Sequence, residues 1–188
     1  MMTADPRAAP PRLTLSHIPS RDCLKSFRCG VRDIDTWATR KAFKLHDSGR
    51  AKVTVAYSEG SKAPCGFYCL TLSIEAANKL LRQEDRDAWK DNAPLVYLDW
   101  IAVSSAMQRR GIGGGLLVHA LSKAVAVNEV IPIYGVGLRS LNDNTTKLYE
   151  RFQFRRAPKE DGSHPLMILP IWTAIDLFGR PPAAQTSP

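Results

Sequence analysis

Between residues 32 and 49, apolar positions Ile34, Trp37, Ala38, Ala42 and Leu45 recur at intervals of three and four and stop at Gly49. That spacing predicts one amphipathic helix with a basic outer face. The period then changes. The runs KVTVAYS and CGFYCLTLSI are rich in β-branched and aromatic residues and are joined by the turn-like EGSKAP, which predicts an antiparallel hairpin. IEAANKLLRQEDRDAWKDNAP is a polar, partly helical connection ending at Pro94, and LVYLDWIAVS after it is the most apolar strand candidate, expected to be buried on both faces. A glycine-rich loop follows, then a helix carrying Leu117, Ala120, Leu121, Ala124 and Val125 on one face. The strand VIPIYGVGL, a short helix in NDNTTKLYERF capped by Asn142 or Asp143, and strands around FQFRRA and LMILPIW complete the pattern. The order is helix, two strands, helix, strand, glycine loop, helix, strand, helix, strands: a mixed α/β layout with one central sheet.

At 188 residues and 44% hydrophobic content the chain suits a single domain, expected over residues 13–175. Residues 1–12 and 176–188 are rich in Pro, Ala and small polar residues and are expected to be flexible tails, with too little apolar surface to offset the entropy of ordering. No run approaches the roughly 20 apolar residues of a membrane span, and the N-terminus lacks a signal peptide's apolar centre, so a cytoplasmic protein is expected.

The formal charge of +8 is locally concentrated. Arg40, Lys41, Lys44, Arg50 and Lys52 stand against the single acid Asp47, and Arg155, Arg156 and Lys159 form a second basic group. Such patches attract polyanions, nucleic acid among them; the other reading is a solvated helix face with ordinary surface lysines. Of the four cysteines, Cys65 and Cys69 lie about 13 Å apart along one strand, too far to share a zinc, and Cys23 and Cys29 have no recognised zinc spacing. Free thiols in a reducing compartment, and no metal, are the expectation.

The stretch QRRGIGGGLL, residues 108–117, packs four glycines into five positions at the mouth of a helix. It lacks the lysine of the phosphate loop G-x-x-x-x-G-K-S/T, and Leu116 stands where a dinucleotide fingerprint needs its third glycine or alanine. The physics common to both loops remains: bare backbone amides and a helix N-terminus suit a pyrophosphate, with Arg109 and Arg110 adding charge at the rim.

These residues carry a resemblance. QRRGIG resembles the Q/R-x-x-G-x-G/A acyl-CoA loop of the GNAT N-acetyltransferase superfamily, LDWIAVSSAM resembles that family's fourth strand, and LYERFQF follows about 40 residues later in the expected order, over a stretch from Leu13 to Trp172. Within the superfamily, FRCGVRDIDTWATRKAFK, CGFYCLTL, APLVYLDWIAVSSAMQRRGIGGGLLVHAL and LYERFQF are most similar to the GNAT toxins of type II toxin–antitoxin pairs. The resemblance implies a GNAT fold, acetyl-CoA as donor, the amine of aminoacyl-tRNA as acceptor, and a ribbon-helix-helix antitoxin as partner; it leaves a homodimer open. A GNAT enzyme for a small amine or a protein N-terminus, and an acyl-CoA-binding module without turnover, are the alternatives.

The resemblance also implies roles. The strand backbone at Ile101, Ala102 and Val103 would pair with pantetheine and polarise the thioester carbonyl, and Gln108, Arg109, Arg110, Gly111, Ile112, Gly113 and Gly114 would hold the pyrophosphate. Asn142 and Asn144 would touch CoA, although helix capping alone explains one of them. Tyr149 would protonate the leaving sulfur, and its other reading is a core tyrosine. Glu75, Asp99 and His119 are candidate bases, each with a structural reading. A base is dispensable for an α-amine, which titrates near 8, and less so for a lysine, near 10.4. That difference favours aminoacyl-tRNA over a lysine acceptor.

Overall fold

The computed structural model describes residues 11–158, 162 and 164–179. Seven strands form one mixed sheet in the order β1-β2-β3-β4-β5-β7-β6. β1 (Leu13–His17), β2 (Lys52–Ser58) and β3 (Gly66–Ala76) pair antiparallel, the predicted hairpin being β2–β3. β4 (Asn92–Val103) runs parallel to β5 (Gly135–Arg139), and β7 (Leu166–Pro170) and the two-residue β6 (Arg155–Arg156) complete the sheet antiparallel. Helices α1 (Arg32–Arg40), α2 (Ala42–Asp47), α3 (Gln83–Trp89), α4 (Ile112–Asn128), α5 (Asp143–Arg151) and α6 (Ile171–Phe178) connect the strands or follow them.

Contacts gather the described residues into two compact units: those up to Thr71 with Leu98–Ala120, and Leu72–Tyr97 with those from Leu121 onward. In the first, Trp37 of α1 stacks on Phe67 of β3 at 5.8 Å and on Trp100 of β4 at 5.3 Å between ring centroids, over a core that includes Leu24, Phe27, Val53 and Val55. In the second, Leu80, Leu95, Tyr134, Leu166 and Ile168 form the core, and Asp85 anchors it by accepting from Arg82 (2.8 and 3.0 Å) and from the Tyr134 hydroxyl (2.9 Å). The Arg82 guanidinium beside it holds the Asp85 carboxyl below its ordinary range.

Several expectations change, and the strand expected over VIPIYGVGL is confined to Gly135–Arg139. The single helix predicted for residues 32–49 is two, broken at Lys41 (φ −118°, ψ −31°) without Pro or Gly. The bend follows from packing, which takes Ala42 to zero exposure beside Trp37 and Ala38. β1 was not predicted; its alternation is too short and polar to read alone, and it is an edge strand defined by pairing with β2. β4 starts at Asn92, and only its first part is deeply buried, Asp99 being exposed and Trp100, Ile101 and Val103 half-exposed. The closing strand ends at Pro170, after which Ile171, Ala174, Ile175 and Phe178 follow helical spacing in α6; residues 176–178, expected in the tail, are helical. Lys159 and the outer parts of both expected tails, 1–10 and 180–188, lie outside the described residues.

Candidate active site

The second half of β4 is where backbone becomes available. The β4–β5 ladder spans Leu95–Tyr97 opposite Gly135–Gly137, whereas β4 continues to Val103, so no described β5 residue pairs with it beyond Tyr97. An extended segment with an unpaired edge offers alternate N–H and C=O groups to an extended ligand. Ala102 keeps its side chain buried, and Ile101 and Val103 are half-exposed.

After β4 the chain makes a 3-10 turn, Ser105–Met107, and reaches the glycine stretch. Arg109 (φ +61°) and Gly111 (φ +78°) are left-handed on either side of Arg110. Glycine adopts that region freely, whereas Arg109 does so at a cost of about 1–2 kcal/mol. Helix α4 begins at Ile112, so Gly113, Gly114 and Gly115 lie in its first turn rather than in the loop where they were expected. Gly115 N–H closes the first turn on the Gly111 carbonyl (3.2 Å), leaving the amides of Ile112, Gly113 and Gly114 ahead of it without an intrahelical acceptor. The Ile112 side chain is core, 1% exposed. Only its amide can serve a ligand. Arg109 and Arg110 are exposed, and no described carboxylate pairs with them. Together these groups make a positive, amide-lined rim that can hold a pyrophosphate.

Gln108 has a different part. Its side-chain amide donates to Cys29 O (2.8 Å) and Val103 O (3.1 Å), clamping the end of β4 to the loop before α1. It shapes the rim rather than reaching into it.

Tyr149 lies in α5, in the second unit. Asn142 caps this helix: its side-chain oxygen accepts from Thr145 N–H (3.0 Å), and Thr145 Oγ1 accepts from Asn142 N–H (2.9 Å). The oxygen of Asn142 is therefore committed to the cap, and Asn144 is exposed beside it. Tyr149 is 7% exposed with its ring 5.8 Å from Phe154, and no described residue hydrogen-bonds its hydroxyl. Burial pushes that phenol up to about 12, so it keeps its proton throughout the neutral range and is a donor, not a base.

Each candidate base is already engaged. Glu75 pairs with Lys79 at 3.4 Å and accepts from Ser73 (3.2 Å). His119 Nδ1 lies 2.8 Å from the Tyr68 hydroxyl. Asp99 accepts from Thr71 Oγ1 (2.8 Å). The Thr71, Tyr68 and Trp37 partnerships went unseen in the sequence because they join residues far apart along the chain, which no periodicity reports.

The basic residues separate in space. Arg40 and Lys44 line one cavity with Arg21, whereas Lys41, Arg50 and Lys52 are exposed away from its lining. The four cysteines are free thiols, and no group of three or more metal-ligating side chains occurs among the described residues. No described helix is long and apolar enough to cross a membrane.

Residues 21–154 match the Acetyltransferase (GNAT) family, a span containing β4, the glycine stretch and α5. The chain belongs to that family. As a GNAT protein it is an N-acetyltransferase. Its sequence is 27% identical over 143 residues to the tRNA-acetylating toxin of Mycobacterium tuberculosis, covering 76% of this chain and 84% of the relative. Among solved structures, AtaT complexed with acetyl-methionyl-tRNAfMet superposes with a TM-score of 0.78 at 19% identity, over 89% of this chain and 99% of AtaT. A mutant AtaT toxin bound to the C-terminus of the antitoxin AtaR and acetyl-CoA gives a TM-score of 0.72 at 20% identity, over 89% and 99%. At these identities the solved structures establish the GNAT fold for this chain.

Proposed function

We propose that this GNAT enzyme moves the acetyl group of acetyl-CoA to the α-amine of aminoacyl-tRNA, and that it is a toxin which thereby blocks translation in the cytoplasm. The observation that carries the acceptor is the likeness to a tRNA-acetylating toxin across 84% of that protein's length. The donor side rests on the chain itself: the amides of Ile112, Gly113 and Gly114 with Arg109 and Arg110 take the pyrophosphate, and the free edge of β4 at Ile101–Val103 takes the pantetheine arm. In this reading Asn144 and the side-chain nitrogen of Asn142 flank the CoA moiety, and Arg40, Lys41, Lys44, Arg50 and Lys52 face tRNA phosphates. A ribbon-helix-helix antitoxin is the proposed partner, in keeping with the AtaR-bound AtaT structure.

The chemistry balances with few groups. The neutral amine attacks the thioester carbonyl carbon, and a β4 amide stabilises the oxyanion. Collapse breaks the carbon–sulfur bond, the Tyr149 hydroxyl supplies the proton to the departing sulfur, the nitrogen loses its extra proton to water, and water returns a proton to Tyr149 so that the cycle closes. No side-chain base is required, because an α-amine titrates near 8 and the adjacent ester lowers it further. That agrees with the prior engagements of Glu75, Asp99 and His119.

The test uses acetyl-labelled acetyl-CoA with total aminoacyl-tRNA and with the same tRNA after deacylation. Label should enter only the acylated pool and leave the tRNA when the ester is hydrolysed under mild alkali. Label persisting on the RNA, or equal labelling of both pools, contradicts the proposal.

A further inference from the structure

The break at Lys41 creates more than a bend. Where α1 meets α2, the turn carrying Arg21 faces the helices across a cavity of about 380 Å³, lined by Arg21, Ala38, Arg40, Phe43, Lys44 and Asp47 among others. A cavity of this size is at the small end of ligand sites, suited to a group the size of one nucleotide. Its lining combines three cations with one acid, and no described carboxylate lies within ion-pair distance of Arg21, Arg40 or Lys44. Phe43 supplies an aromatic wall; it is half-buried and packed against the core of its unit, so its ring is held in place. Thr39, also in the lining, spends its hydroxyl proton on the helix, within reach of the Asp35 (2.9 Å) and Thr36 (3.2 Å) carbonyls. A second cavity, near Trp172, also contains arginines, but Arg82 there is committed to Asp85 at 2.8 Å.

We propose that the Arg21–Arg40–Lys44 cavity is a subsite for one nucleotide of single-stranded RNA, its phosphate held by the three cations and its base set against Phe43. Positive grooves with aromatic walls take single strands in this way, the phosphate giving affinity and the ring accepting any base. An acidic peptide would use the cations and leave Phe43 idle. The place in the fold agrees: on its inner side α1 sets Trp37 against Trp100, the residue before Ile101, so the helix that carries the cavity packs directly on the strand proposed to hold the acyl arm. The subsite rests on the aminoacyl-tRNA reading for its biological ligand, and its existence can be tested apart from it.

The probe is the RNA trinucleotide CCA bearing a 5′-phosphate, titrated into the full chain with Arg21→Ala, Phe43→Leu, Phe43→Ala and Asp47→Asn variants and with acetyl-CoA affinity as the folding control. Arg21→Ala should weaken binding and lower the slope of log affinity against log salt by about 0.7, one contact in single-stranded RNA. Loss of stacking in Phe43→Ala should weaken it by roughly fivefold to a hundredfold at unchanged slope, and Phe43→Leu, which keeps apolar volume, should lose affinity too. Asp47→Asn should tighten it. Wild-type affinity in Arg21→Ala and Phe43→Leu overturns the subsite. So does a cavity that binds a glutamate decapeptide in preference to the RNA. If the wild type acetylates aminoacyl-tRNA while these variants bind as it does, the subsite is wrong and the acceptor reading stands; if CCA binding depends on the cavity and no aminoacyl-tRNA is acetylated, the reverse holds.

Discussion

Tyr149→Phe separates chemistry from architecture, because the structure predicts very different sizes for its two effects. The ring is 7% exposed and packed near Phe154, and no described partner holds the hydroxyl, so the change orphans no acceptor and leaves the packing in place. The stability cost should stay within about 1 kcal/mol. As the donor to the leaving sulfur, the same hydroxyl contributes roughly 10²- to 10⁴-fold in rate, or about 2.7–5.4 kcal/mol of barrier at 1.36 kcal/mol per tenfold. The assay is single-turnover acetylation of a mixed aminoacyl-tRNA pool with enzyme in excess, which hides product release. Acetyl-CoA affinity should match wild type, since its proposed contacts lie on β4 and α4. A Phe variant within about threefold of wild type in that assay refutes Tyr149 as the acid. Stability should also depend on pH through this group. With the phenol raised from 10.0 to about 12, its contribution to stability is present below pH 10 and is lost as the pH rises through 12, so wild type should lose stability there and the Phe variant should lack that component. Over the range where the acceptor amine deprotonates, the rate should rise and level off with no descending limb from Tyr149.

Gly113→Val puts a branched side chain into the first turn of α4, where an added Cβ already meets Val103 Cγ2 at 3.7 Å; calorimetry should show acetyl-CoA affinity reduced at least about tenfold with the fold retained, and wild-type affinity would remove the pyrophosphate assignment. Replacing Arg40, Lys41 and Lys44 together with alanine should raise the KM for aminoacyl-tRNA and flatten its salt dependence while acetyl-CoA affinity holds; unchanged tRNA kinetics would return these residues to a solvated face. Gly135→Ala drives a methyl group into the Leu169 carbonyl of β7, and denaturant titration should show a loss of at least about 3 kcal/mol or failure to fold; an unchanged midpoint would mean that β5 and β7 separate more easily than their register indicates.

Elements with a strong local signal were legible in the sequence: β2 and β3 stand where runs of β-branched and aromatic residues put them, and α4 where three-and-four spacing put its apolar face. What escaped was set by contacts distant along the chain. Lys41 breaks a helix that its local residues would continue, because Trp37, Ala38 and Ala42 are all drawn into the core. Ile171 and Trp172 read as the end of the closing strand because a short apolar run fits either period, and the helical spacing from Ile171 to Phe178 became decisive only with the side chains packed. For the candidate site, the glycine stretch pointed to a helix N-terminus, yet where the helix begins was off by a turn. Gln108 carries a motif position whose side chain serves the scaffold, a role that depends on Cys29 seventy-nine residues away.

The central claim, transfer to the α-amine of aminoacyl-tRNA, is tested most directly by comparing kcat/KM on three acceptors at one acetyl-CoA concentration and physiological salt: aminoacyl-tRNA, the methyl ester of the same amino acid, and a lysine-containing peptide with a blocked N-terminus. Aminoacyl-tRNA should exceed the methyl ester by at least about a hundredfold, the difference arising from phosphate contacts and shrinking as salt is raised, and the peptide should be slowest because its amine is protonated. Equal rates on tRNA and methyl ester, or preference for the lysine peptide, would contradict the account.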